Sequence, residues 1–481
     1  VALALVERFH AFSSHSRAGV FLRAPGVDWG DPTPPFKRYP GAQRIALPPA
    51  TSAVGRAFGV ATLGTVLWHA NGVSEVRSGL RLRTSPSSGA LFPAELYVVA
   101  SAVPGLARGV WHYDPDGHAL ERIGDAVGDA AGAGAGDEAS SPDAAALVVA
   151  TGVFRRTGHK YRDRTYRYVL ADLGHALENL RAAGAAVGVD VRFLAAFDEA
   201  RTAGALGIDA AEEGVLAIGA LHADPDTGGR PERPPTQPAV PRWQAPDLVG
   251  ENSAPLGVTA AVHAATSLQS SVPGRAAIPP TASPSADLPV DAIVLPRADP
   301  TRADVLQVIA RRRSMRRFAR TPLPRQDLAA VLARMSGPRP VWSPALRIDV
   351  VVHGVEALAP GSYRYEPVRH ALLPRRVGAD LRDAARAAAL DQDVIGDAAV
   401  ALVLSIDRAA FAADPLGAAR GYRHAFLEAG LAGERIYLEA GARGLGVCAV
   451  GAFYDDEAAR LVGVDPAREW VVHFAGLGVP A

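Results

Sequence analysis

The sequence predicts an α+β fold laid down twice in one chain, and three observations carry that prediction. Tyr166-Arg167-Tyr168, Gly174, Gly188, Phe197 and Gly207 return at a constant offset of 256 residues as Tyr422-Arg423-His424, Gly430, Gly444, Phe453 and Gly463. GVWHYDPDGHAL (109–120) is echoed by GSYRYEPVRHAL (361–372). Apolar runs of strand length are mixed with Ala/Leu-rich helical stretches, in the same order in both halves. A period of domain size marks one fold duplicated rather than a solenoid.

The elements follow in pairs. A first helix ends at a glycine in VATLGTVLWHANG (60–72) and in DLAAVLARMSG (327–337). A strand follows at 95–101 and 347–353, then a Tyr-rich hairpin, then a second apolar strand at 145–151 and 399–406. A long helix comes next at 168–188 and 424–444, and a βαβ-like tail closes each copy. The long helix is apolar on more than one face, which predicts burial between the repeats. Three stretches look loose: 21–50, 125–143 and 221–300, rich in Pro, Gly, Ser or Ala. The expected organisation is an N-terminal extension (1–50), repeat one (51–220), a linker (221–300) and repeat two (301–481).

Composition narrows the function. The chain has 481 residues, 48% of them apolar and 21% charged, with no net charge. No basic field is present to hold nucleic acid or an anionic membrane. A single cysteine, Cys448, rules out an intramolecular disulfide and any Cys-based zinc site, which suits a reducing cytoplasm. The N-terminal VALALVERFHAF has a short apolar start without a charged n-region or a cleavage signature. No apolar run approaches the roughly 18 residues of a membrane span. His10, His15 and His112 have no metal spacing, and no GxGxxG or Walker pattern opens a helix after a strand.

The sharpest local motif is Arg311-Arg312-Arg313-Ser314-Met315-Arg316-Arg317-Phe318, before the first helix of repeat two. Guanidinium forks beside a hydroxyl suit a phosphate monoester and a carbonyl-rich ring edge. The same run could serve only as a solvated basic turn. Repeat one carries RTSPSSGALFPAELY (83–97) and KYRDRTYRY (160–168), and repeat two ends in GVCAVGAF (446–453). Together these motifs resemble the FMN-dependent nitroreductase superfamily. They are most similar to its SagB-type, McbC-like dehydrogenases. The resemblance covers both repeats and not the linker. It implies two tandem nitroreductase-like domains, paired within the chain as an intramolecular pseudo-dimer.

The repeats differ in what they keep. Repeat two has Arg312, Ser314 and Arg316, where SAVGRAF (52–58) of repeat one keeps at most Arg56. Repeat two has Ala449-Val450-Gly451-Ala452, where repeat one has Ala195-Ala196 preceded by the bulkier Arg192-Phe193-Leu194. Repeat one has Pro86-Ser87-Ser88-Gly89 and Lys160-Tyr161, where repeat two has GPRPVWSPA (337–345) and Leu416-Gly417. The superfamily builds each FMN site from both partners of a dimer. Applied to a fused pair, every intact piece falls in one composite site and every degenerate piece in the other. One FMN per chain is the expectation.

A flavin carries hydride chemistry, while protein groups supply orientation, electrostatics and a base. Arg312 and Arg316 are expected on the phosphate or the pyrimidine edge, with Ser314 adding a hydrogen bond. Gly451 and Ala452 would let backbone N–H groups approach the ring. Lys160 and Tyr161 resemble the Lys-Tyr pair of azoline dehydrogenases, and a lysine can act as base if burial or neighbouring arginines disfavour its charged form. KYRDR read alone is equally an exposed basic loop. His159 and His175 are weaker candidates for proton relay, and Cys448 reads as a packed core thiol.

The expected activity is therefore oxidation of a thiazoline, an oxazoline or a related amino-acyl unit in a peptide-derived natural product. Any cyclodehydratase or carrier partner would be a separate protein. One rival is a NAD(P)H-dependent reductase of nitro groups, quinones or enones. A second is a flavin-free scaffold partner of a biosynthetic complex.

Overall fold

Each repeat folds around one antiparallel sheet, and the two sheets share a strand order. The computed structural model describes residues 2–22, 33–50, 57–125, 144–223, 242–250, 255–268, 288–297, 301, 303–337 and 339–481. The chain divides into two compact units: Val27–Ala277 with Ile309–Arg311, and Val1–Gly26 with Ile278–Val308 and Arg312–Ala481.

The strands of the first unit are β1 (Arg44–Ala46), β2 (Val73–Arg77), β3 (Leu80–Arg83), β4 (Ala94–Ala100), β5 (Gly109–Asp114), β6 (Ala119–Gly124), β7 (Ala146–Val153), β8 (Val189–Phe193) and β9 (Glu213–Ala223). Seven form a sheet in the order β1-β6-β5-β4-β7-β9-β8, and β2 and β3 make a separate hairpin. That hairpin turns through Ser78 and Gly79, both with positive φ, the geometry that matches the twist of tight hairpins. It delivers the chain into the turn at Pro86.

β4 and β7 pair across the middle of the sheet, Tyr97 opposite Val149, and every residue of both is buried. Continuous apolar runs are what a strand covered on both faces requires. Tyr97, Val99, Leu147 and Val149 pack with Leu206 and Ile208 at the end of helix Glu199–Leu206. The long helix Thr165–Ala186 also packs on β4 and β7.

The second unit repeats the plan with β10 (Ile293–Val294), β11 (Phe318–Ala319), β12 (Leu346–Val352), β13 (Gly361–Glu366), β14 (Ala371–Val377), β15 (Val400–Asp407), β16 (Gly446–Val450) and β17 (Glu469–Pro480). Its order is β10-β14-β13-β12-β15-β17, with β11 and β16 both paired to β17. The long helix, Ala418–Ala442, is buried along nearly its whole length. Two features depart from the sequence reading. The closing β-α-β segments return antiparallel, β8 on β9 and β16 on β17, although a helical crossover suggested parallel strands. Edge strands β1 and β10 and the helix Val258–Thr266 lie in stretches that read as loose. Arg56 and all but Asp125 of the expected loop at 125–143 lie outside the described residues.

Candidate functional site

Two clusters hold the residues singled out by sequence, one in each unit. In repeat one the Pro86–Gly89 turn leads into a short 3-10 turn, Ser88–Ala90. Pro86 is buried, Ser87 and Ser88 are half-buried and Gly89 is exposed. Gly89 has φ of 65°, a conformation open to glycine without penalty. A Cβ there would stand 2.8 Å from the Tyr161 hydroxyl oxygen and 3.2 Å from Lys160 Nζ. The fold thus brings the turn and the Lys-Tyr pair together, although about seventy residues of sequence separate them.

Lys160 and Tyr161 end the helix Phe154–Tyr161. Lys160 Nζ lies 5.3 Å from the centre of the Tyr161 ring, and that ring lies 4.4 Å from the ring of Tyr168. Lys160 is exposed rather than buried. Arg162, the next residue, has φ of 49° and ψ of −123°, a region that non-glycine residues rarely occupy. Ala90 and Phe92 also have positive φ. Such backbone persists only where neighbours over-determine it.

Those neighbours are visible. Glu95 of the PAELY segment pairs with Arg156 Nη1 at 2.6 Å and with His112 Nε2 at 3.0 Å. Burial opposes ionisation of Glu95, but Arg156 and His112 outweigh it and hold the carboxyl well below its ordinary range. Burial likewise opposes charge on His112, yet its hydrogen bonds to Glu121 and Glu95 raise its pKa. Arg156 also donates to the Phe92 carbonyl at 3.2 Å and to the Pro34 carbonyl at 2.9 Å. One buried guanidinium therefore ties the end of the PSSGA segment to the helix that carries Lys160.

Sequence reasoning missed Asp172. It lies in the long helix, is buried, and accepts hydrogen bonds from the Ser87 hydroxyl at 2.6 Å, the Ser88 hydroxyl at 2.9 Å and the Ser88 N–H at 3.0 Å. Burial raises its carboxyl to about 7, against the pull of these serine hydrogen bonds. The only signal in the sequence was an acid on an otherwise Ala/Leu-rich helix. At the same offset of 256 stands Glu428, which accepts the N–H groups of Val341 and Trp342 at 2.9 and 3.1 Å. A buried carboxylate gripping the turn before the first central strand belongs to both copies of the fold.

In repeat two, Arg312 is buried and its guanidinium lies 5.2 Å from the centre of the Tyr437 ring. Burial lowers the Arg312 pKa, and Glu434 opposes that effect. The Tyr437 hydroxyl lies 2.9 Å from Ser314 Oγ and accepts the Ala449 N–H at 2.8 Å. Tyr437, also missed, thus joins the arginine-rich segment to the glycine tail. Met315 N–H donates to the Val447 carbonyl at 2.8 Å, and a Cβ on Gly446 would meet Met315 Cβ at 3.0 Å. Ser314 and Arg316 are exposed.

Val450 points into the core with Phe453 and Phe474, while Gly451 and Ala452 are half-buried after β16. The Ala452 carbonyl accepts from Gln392 Nε2 at 3.0 Å. Cys448 is buried in the same core, and that burial pushes its thiol pKa up. His175 is buried and His159 exposed. Among the described residues no group of three His, Cys, Asp or Glu side chains is arranged to hold a metal ion. Among them, too, no helix is long and apolar enough to cross a membrane.

The sequence profile of the nitroreductase family matches residues 60–221 and again 309–479. The chain belongs to the nitroreductase family. Both repeats are nitroreductase domains, in tandem, and the family is one of oxidoreductases. MJ1384 of Methanocaldococcus jannaschii, a nitroreductase by assignment, is 32% identical over 136 residues, 28% of this chain and 67% of that protein. The trifolitoxin-processing protein TfxB of Rhizobium leguminosarum bv. trifolii is 31% identical over 158 residues. That match spans 31% of this chain and less than half, 42%, of TfxB. A crystal structure from Anabaena variabilis, also assigned as a nitroreductase, superposes with a TM-score of 0.82 at 23% identity, over 99% of both chains. That likeness extends the nitroreductase fold over the whole chain.

Proposed function

We propose that the chain is an FMN-dependent dehydrogenase of SagB type that oxidises a thiazoline, an oxazoline or a related amino-acyl unit of a peptide-derived natural product. The observation that carries this reading is the seating of Lys160 and Tyr161 against Gly89 of the Pro86–Gly89 turn. It sets a basic group and a phenol beside the segment assigned to the cofactor. The similarity to a trifolitoxin-processing protein supports a place in peptide-product biosynthesis. Separate cyclodehydratase or carrier proteins would then supply the substrate.

The residues present fit FMN. The buried Arg312 cation beside the Ser314 hydroxyl suits a phosphate dianion, with Arg316 adding charge. Pro86, Ser87, Ser88 and Gly89 would meet the ring system, and Ala449, Val450, Gly451 and Ala452 would supply a close backbone surface. One FMN per chain follows from which repeat keeps which motif, given the pseudo-dimer within the chain that the family resemblance implies. When bound, the flavin would supply the hydride acceptor.

The chain's own residues would handle the proton. Lys160 Nζ takes the proton from the carbon alpha to the carbonyl, and the Tyr161 hydroxyl orients the amine or relays that proton. The substrate loses this proton and a hydride, and its ring becomes aromatic. A positioned base contributes about 10²–10⁴-fold. Lys160→Ala is therefore expected to lower azole formation from an azoline-bearing peptide by about 10²-fold or more, with flavin content unchanged. Full azole formation by Lys160→Ala would remove the basis of this reading.

A further inference from the structure

The Asp172 carboxylate does more than hold a turn. Ionised, it has no proton to donate, so each hydroxyl that faces it must donate. Ser87 and Ser88 both do so, at 2.6 and 2.9 Å. The Ser87 oxygen already accepts one N–H, that of Phe92 at 2.9 Å, which leaves it a single lone pair. Ser88 is different. Its hydroxyl proton and its amide proton are both spent on Asp172, and among the described residues nothing donates to its oxygen. Ser88 is half-buried and borders exposed Gly89. What it can offer a ligand is a lone pair.

Repeat two separates this effect from a simple staple. Glu428 grips its turn through the backbone N–H groups of Val341, Trp342 and Ser343, with no hydroxyl donated to it among the described residues. The grip on the backbone is common to both copies, and the oriented hydroxyls belong to repeat one.

We propose that Asp172 is a positioning residue that sets the hydrogen-bond polarity of the Pro86–Gly89 turn and holds Ser88 as the acceptor for an imide N–H on a planar ligand. Under the flavin reading above, on which this rests, that group is N3–H of the pyrimidine edge. An imide edge carries one N–H between two carbonyls. A serine locked as acceptor selects the N–H and disfavours the carbonyls.

The test uses the full chain, freed of flavin, titrated with FMN and with N3-methyl-FMN by quenching of flavin fluorescence. Thermal unfolding of the flavin-free proteins is recorded in parallel. The titrations are run at pH 8.5, above the value of about 7 for Asp172. Wild type is expected to favour FMN over the methylated form by about tenfold or more, the cost of an acceptor covered by the ligand and left without its N–H. Ser88→Ala and Asp172→Ala should both bring that ratio to within about twofold of unity. Asp172→Asn should keep it, because the amide oxygen still accepts both Ser88 protons.

A wild-type ratio near one overturns the assignment, as does a ratio preserved in Ser88→Ala or Asp172→Ala. If Asp172→Ala does not fold, Ser88→Ala and Asp172→Asn still decide, since loss of the ratio in the first and its retention in the second are both required. A wild-type chain that binds neither flavin overturns the flavin reading itself, and this assignment with it. A chain that binds both equally overturns this assignment alone.

Discussion

Asp172 makes a prediction about stability that needs no cofactor. Burial raises its carboxyl from 3.8 to about 7, against the serine hydrogen bonds that favour the charged form. An acid raised in this way keeps its proton longer in the folded chain than in the unfolded one. Its contribution to stability is fully present below about 4 and is lost as pH rises through about 7. As pH rises from 5 through 7 the folded chain gives up the one extra proton it binds, a loss of roughly 2–3 kcal/mol by pH 8. Asparagine at this position cannot ionise and has no such loss.

The stability of Asp172→Asn relative to wild type should therefore improve by roughly 2–3 kcal/mol from pH 5 to pH 8. For a unit of this size that is on the order of 5–10 °C in melting temperature. Thermal melts of both proteins across this pH range provide the assay. Taking the difference cancels every other titrating group. Curves that stay parallel, within about 1 °C from pH 5 to pH 8, would refute the buried, charge-poor setting assigned to Asp172.

Three more predictions follow from the same geometry. Tyr437→Phe leaves the Ala449 N–H without its acceptor, so it should cost about 1–3 kcal/mol by denaturant titration and weaken flavin retention. Gly89→Ala forces a Cβ into a left-handed backbone and toward the Tyr161 hydroxyl, at about 1–2 kcal/mol. Turnover should fall further than melting temperature does, and a variant with wild-type turnover would detach Tyr161 from the chemistry. Glu95→Gln strips the carboxylate from buried Arg156 and His112 and should cost about 3–5 kcal/mol, read as a lower denaturation midpoint.

Much of the fold was legible because its two copies check each other. Gly207 and Gly463 end equivalent helices in left-handed conformations, and the same spacing marked both in the sequence. The central strands announced themselves as unbroken apolar runs, LYVVA and VALVL. The edge strands did not, since β1 has three residues and β10 two, too few to show a period. The direction of the closing strands was also hidden, because strand pairing is a long-range choice.

At the site, the residues with visible motifs were found and those behind them were missed. Asp172 grips serines 85 and 84 residues away in the chain, and Tyr437 meets a serine 123 residues away. On a largely apolar helix both read as incidental. Burial was equally out of reach: Lys160 lies exposed at a helix end, whereas Arg312, from an arginine-rich run that could have been a solvated turn, is buried.

The central claim is that the two repeats keep complementary halves of a single cofactor site. The absorbance spectrum of the purified protein, quantified as FMN per chain after reconstitution, tests it most directly. The account predicts a ratio near one. A ratio near two would show that the degenerate pieces also bind, and a protein that stays colourless with FMN added would contradict the flavoenzyme reading outright.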